Sequence, residues 1–109
     1  MNKINWVKLN DTEILIDNTN YVVIFKHSPR CIISRIVLDR FEKDYKKTVT
    51  NLEFAIVDVI SQKKMSGHIS DIFKIRHESP QLILIKNNNV LLSLSHENIL
   101  FSSLQKMLT

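Results

Sequence analysis

Cysteine is nearly absent from this chain of 109 residues: there is one, Cys31. A single cysteine forms no intramolecular disulfide, so in a reducing compartment it is either a small core residue or a reactive thiol. Long apolar runs are missing as well. Stretches such as Leu82 to Ile85 are far too short to cross a bilayer, and the first residues, MNKINWVKLND, hold no apolar core of the length a secretory signal needs. The expected address is the cytoplasm, with no membrane partner. Arginine-rich runs and aromatic–basic alternation are also lacking. The formal charge of +4 therefore reads as a solvated basic surface, and nucleic acid is not an expected partner. No linker-like stretch interrupts the chain, which argues for one domain over residues 1–109. Its 44% hydrophobic and 24% charged residues suit a globular fold and exclude a disordered one.

What is present is a series of apolar segments with legible boundaries. Asn5 to Leu9 suits a short first strand or an extended arm. Asp11 and Thr12 are helix-capping types ahead of Glu13-Ile14-Leu15-Ile16, which predicts one or two helical turns ending near Asn18. Tyr21 to Phe25 is a continuous β-branched run, the pattern of a strand buried on both faces. Ser28-Pro29 then stops the strand and opens a helix, since serine caps and proline is tolerated in the first turn. Ile33, Val37, Phe41 and Tyr45 recur every four residues, with Ile32 and Ile36 beside them, and predict a helix from about Cys31 to Lys46 with these residues inward. Leu52 to Ile60 reads as a second buried strand. Ser66 to Arg76 reads as a helix that turns Ile69, Ile72, Phe73 and Ile75 inward. Gln81 to Lys86 and Val90 to Ser95 read as strands joined by Asn87-Asn88-Asn89. Asparagine accepts the left-handed backbone of a tight hairpin, which matters in a chain with one glycine. A last helix is expected over Glu97 to Leu108, with Ile99, Leu100, Leu104 and Met107 inward.

The β-α-β units predict parallel pairing with right-handed crossovers, and the asparagine turn an antiparallel hairpin. Helices then cover both faces of a mixed sheet of four or five strands. This α/β order resembles the thioredoxin layout.

Cys31 lies at the corner where a buried strand becomes a helix. Unpaired backbone N–H groups and the positive end of the helix dipole favour a thiolate there. Lys26, His27, Arg30 and Arg35 are near it in sequence and add to that tendency if they point toward it. The competing reading is an inert buried cysteine, but Pro29 and Arg30 are poor core neighbours. Ser34 follows three residues on, so Cys-Ile-Ile-Ser keeps the spacing of Cys-x-x-Cys with oxygen in place of the second sulfur. Such a serine resolves no mixed disulfide, although it suits a hydrogen bond to a thiolate. In the thioredoxin layout, Pro80 of His77-Glu78-Ser79-Pro80-Gln81 stands where a cis-proline faces the cysteine. There the backbone of Ser79 pairs with a bound substrate like an added strand.

FKHSPRCIIS, HESPQLILIKNN and SHENI together resemble the YtxJ-type monothiol bacilliredoxin family over nearly the whole chain, Trp6 included. The resemblance implies that Cys31 is the nucleophile, Ser34 the residue in the resolving position and Pro80 the cis-proline. It implies a monothiol thiol–disulfide oxidoreductase, glutaredoxin-like in its chemistry, that removes bacillithiol from protein mixed disulfides. Bacillithiol is then a co-substrate, no cofactor is bound, bacillithiolated proteins are the partners, and the enzyme acts as a monomer. A pocket edged by Lys26, His27, Arg30, Arg35 and His77 is expected to receive the malate carboxylates of bacillithiol. Two residues depart from the family pattern. Ile32 replaces the proline usual after the cysteine, and Pro29 replaces a common threonine; both bear on the thiol and on where the helix starts.

Other chemistries fit less well. His27, Cys31 and His77 lack any metal-ligand spacing, and His68 and His96 read as ordinary surface or capping residues. The Cys-Gly-Phe-Ser motif of cluster-bridging monothiol glutaredoxins is absent, and nothing matches a Cys–His hydrolase. The rival from another class is a thioredoxin-fold adaptor whose cysteine no longer reacts.

Overall fold

The computed structural model describes residues 3–16, 18–47 and 49–108, so the ends of the domain expected over 1–109 lie outside it. Five strands form one mixed sheet: β1 (Val7–Lys8), β2 (Tyr21–His27), β3 (Leu52–Asp58), β4 (Gln81–Lys86) and β5 (Asn89–Ser95), in the spatial order β1-β3-β2-β4-β5. Three helices accompany them: α1 (Ile32–Asp44), α2 (Lys63–Phe73) and α3 (Phe101–Met107). The α/β architecture expected from the sequence is the one observed.

The sheet is centred on β2, whose Val22 to Lys26 are all buried. Period-two alternation sends Val23 and Phe25 to one face, where they meet Val37 and Phe41 of α1 and Phe101 and Leu104 of α3. It sends Val22 and Ile24 to the other, against Ile69 of α2. Trp6 extends the first core, with its ring centroid 5.8 Å from Phe25 and 5.4 Å from Phe54.

Only the first β-α-β unit is parallel. β2 and β3 run in parallel, with Phe25 beside Ile56, but β4 lies antiparallel to β2, with Lys26 beside Gln81. The crossover through α2 therefore returns the chain on the far side of β2 in the opposite direction, which corrects the expectation of two parallel units. The β4–β5 hairpin turns where predicted, on Asn87 and Asn88, whose φ angles are 50° and 67°.

The helices depart from the sequence reading in informative ways. α1 buries Ser34, Val37 and Phe41, whereas Ile32, Ile33 and Ile36 are 68%, 52% and 56% exposed. The predicted stripe is rotated, because the inward face follows the three-and-four spacing of residues 34, 37 and 41 and leaves Ile33 about 100° away. α2 starts three residues before Ser66. It ends at Phe73 because Lys74 is left-handed (φ 53°), and the Ile75 N–H returns to the Ser70 carbonyl. The last predicted helix is split. His96 at φ 54° opens a short 3-10 turn over His96–Asn98, and α3 begins at Phe101. Its inner residues are Phe101 and Leu104, with Ile99 before it and Leu108 after it. Leu100 and Met107 face outward.

Candidate active site

Cys31 is the N-cap residue of α1, with extended backbone (φ −94°, ψ 121°), and it is half-buried. Ser28 and Pro29 do not open the helix. Instead residues 28–31 form a turn in which the Ser28 carbonyl accepts the Cys31 N–H at 3.0 Å. The Cys31 carbonyl then accepts the Arg35 N–H at 3.1 Å, the first bond of the helix. The first-turn amides that follow Cys31 have no intrahelical acceptors, and no acidic side chain occupies that turn. The thiol thus stands at the positive end of the helix, with Pro29 and Arg30 exposed before it.

Ser34 is fully buried. Its hydroxyl oxygen accepts the Ser28 N–H at 3.0 Å and lies 2.7 Å from Nδ1 of His27. The hydroxyl has one donor and two acceptor sites, so it serves Ser28 and His27 together, and the imidazole tautomer sets which of Oγ and Nδ1 donates. The bonds of this serine run to the turn and to His27, so its work is to pin the corner that carries the cysteine.

His27 ends β2 half-buried, in register with Asp58. Burial holds its pKa below the ordinary histidine value; Asp58 and Glu42 oppose that, and Arg35 adds to it. Asp58 itself is held below the usual carboxylate range, chiefly by the backbone N–H of Ser61 and also by that of Ile60. His27, Pro29 and Asp58 line a cleft of about 290 Å³ with Lys8, Ser61 and Gln62.

Pro80 is buried, and its peptide bond to Ser79 is cis. It lies one step beyond the Lys26–Gln81 pair, at the sheet end where β2 departs for Cys31. The His96 N–H donates to its carbonyl at 3.0 Å. Beside it the Ser79 hydroxyl is buried and, among the described residues, without a hydrogen-bond partner.

The expected ring of cations does not converge. Lys26 is fully buried on the α2 face, not at an open pocket. Its ammonium donates to the Ser66 carbonyl (2.9 Å) and the Ser70 hydroxyl (2.8 Å), and lies 3.1 Å from Nδ1 of His77. Burial pushes its pKa down to about 8. His77 is held below the ordinary histidine value by burial first and by Lys26 second, against Glu78. Arg30 and Arg35 stay in solvent beside the cysteine, Arg35 forming a shallow groove on α1 with Ile32, Ile36 and Asp39.

Residues 5–104 match the family described as monothiol bacilliredoxin BrxC. The chain belongs to the monothiol bacilliredoxins. Among solved structures, this bacilliredoxin is similar to a thioredoxin-fold protein classed as a candidate oxidoreductase, with a TM-score of 0.77 and 27% identity over 94% of this chain and 92% of that one. It also resembles thioredoxin from Trypanosoma brucei brucei (TM-score 0.71, 14% identity, 98% and 90% covered). Thioredoxin from Malassezia sympodialis is similar too (0.69, 20%, 94% and 85%). The fold is that of thioredoxin, and family and fold together give the bacilliredoxin a thiol redox role as an oxidoreductase. Among its described residues no group of three or more His, Cys, Asp or Glu side chains is placed to hold a metal, and no helix is long and apolar enough to cross a membrane.

Several residues around the site escaped the sequence reading. Ser66 and Ser70 share one face of α2 as an i, i+4 pair, but their partner Lys26 is 40 and 44 residues away in sequence. Glu78 accepts the Ser95 hydroxyl, and Gln81 donates to the Arg76 carbonyl at 3.1 Å, so both ends of the Pro80 loop are tied. Nothing local in HESPQ marks these roles.

Proposed function

We propose that this bacilliredoxin removes bacillithiol from protein mixed disulfides through Cys31 alone. The observation that carries the reading is Ser34: a buried hydroxyl, bonded to Ser28 and His27, fills the place of a second sulfur. With no resolving thiol next to it, Cys31 is suited to taking up a small thiol and handing it to another.

The Cys31 thiolate attacks the bacillithiol sulfur of the mixed disulfide. A new S–S bond forms as the old one breaks, and the protein sulfur leaves with the electron pair and takes a proton. Cys31 now carries bacillithiol. A second bacillithiol thiolate attacks that sulfur, releasing the Cys31 thiolate and bacillithiol disulfide. The backbone of Ser79, beside Pro80, pairs with the substrate segment, and Arg30 and Arg35 meet the malate carboxylates of bacillithiol. Bacillithiol is a co-substrate here, the partners are bacillithiolated proteins in the cytoplasm, and the protein works as a monomer without a resident cofactor.

The test is the release of free thiol from a single-cysteine protein carrying bacillithiol, run beside the same protein carrying glutathione. Turnover of the first, faster than of the second and lost in Cys31→Ser, supports the reading. Equal turnover removes the bacillithiol preference. No turnover of either favours the adaptor.

A further inference from the structure

Lys26 has no place in the thiol exchange, yet it is fully buried among the aliphatic side chains of the α2 face. A cation is buried only where its protons are matched, and an aliphatic residue would fill the same space at less cost. Its partners explain the choice. Two of them, the Ser66 carbonyl and the Ser70 hydroxyl, belong to α2. The third is Nδ1 of His77, 3.1 Å away, in the loop that leads through Glu78 and Ser79 to Pro80. The Ser66 hydroxyl lies 3.2 Å from the same nitrogen. An ammonium with three donors and a neutral imidazole with one acceptor complete this arrangement. The other end of the loop is tied separately, by Glu78 to Ser95, by Gln81 to Arg76 and by the Pro80 carbonyl to His96.

We propose that Lys26 is a positioning residue: through His77 it fixes the loop whose Ser79 backbone presents the disulfide to Cys31. This rests on the thiol-exchange reading for its consequence, but not for the tie itself. Two measurements on the full chain separate them. The first is amide hydrogen exchange of the folded protein. Lys26→Met is expected to speed exchange about tenfold in peptides covering residues 76–81, while α1 and α3 change less than about twofold. The second is steady-state reduction of a single-cysteine protein carrying bacillithiol. Lys26→Met and His77→Ala are expected to raise KM about tenfold with kcat within about threefold, since a lost bond to a charged group is worth roughly that factor. His77→Gln, whose amide oxygen accepts from the ammonium, is expected to restore both readouts.

Unchanged exchange in the loop overturns the tie whatever the activity. Faster exchange throughout the protein makes Lys26 a core residue and nothing more, which also overturns it. Faster loop exchange with an unchanged KM overturns the presenting role. A wild-type protein with no turnover sinks the thiol-exchange reading instead, and the exchange data still decide whether Lys26 holds the loop.

Discussion

The Ser34 hydroxyl stands 2.7 Å from Nδ1 of His27, and the same oxygen takes the Ser28 N–H at 3.0 Å. The Ser28 carbonyl in turn receives the Cys31 N–H. One buried oxygen therefore holds the turn that delivers the thiol, and Ser34→Ala leaves a half-buried N–H and a ring nitrogen without their partner. The expected cost is about 1–3 kcal/mol, read from the urea midpoint, with a severalfold slower reduction of mixed disulfides. A midpoint unchanged from wild type would show that water replaces the hydroxyl freely.

The rotated face of α1 makes a sharp pair of stability predictions. Phe41 is fully buried, with its ring 5.9 Å from Phe101, while Ile33 is 52% exposed. Phe41→Ala is expected to cost about 3–5 kcal/mol, and Ile33→Ser less than about 0.5 kcal/mol. Denaturant unfolding checks both. A large loss at Ile33 would restore the stripe that sequence spacing alone suggests.

That contrast shows what was legible in the chain and what was not. The strands are legible because long apolar runs bounded by Ser28-Pro29 and by the asparagines leave few alternatives. Cys31 and Pro80 stood out because a lone cysteine at a strand-to-helix corner and a proline before a strand are rare local features. The facing of α1 was not legible, since Ile33 and Ser34 are one residue apart and only packing on Phe25 and Phe101 decides which turns inward. A serine in the core contradicts its polarity until its partners are known. Lys26 misled for the same reason: its charge suggested solvent, and the acceptors that bury it lie 40 or more residues away.

Lys26 also gives stability a dependence on alkaline pH. Its folded pKa is about 8, against 10.5 when exposed. Between those values the unfolded chain holds a proton that the folded one has lost, so stability rises with pH across that window. The groups facing Nζ come from α2 and the loop: the Ser66 carbonyl, the Ser70 hydroxyl and the His77 ring, none of them acidic. The rise is expected to be on the order of 2–3 kcal/mol and to vanish in Lys26→Met. Urea midpoints at pH 7.5, 9 and 10.5 measure it.

Two of the four histidines give stability a dependence on acid. Burial holds both His27 and His77 below 6.5. As pH falls under 6.5 the unfolded chain binds protons that the folded chain refuses, so stability declines until the folded values are reached. His27→Gln is expected to flatten part of that decline between pH 6.5 and 5, followed by thermal melting. An unaltered slope in the variant would remove His27 from the account.

The most direct test of the central claim is intact mass spectrometry of the protein mixed with a bacillithiolated substrate, beside Cys31→Ser. The account predicts a mass gain of one bacillithiol on Cys31, with the substrate thiol set free and the variant unmodified. If Cys31 gains nothing while the substrate keeps its bacillithiol, and an alkylating reagent also leaves the thiol untouched, the cysteine is structural and the account is contradicted.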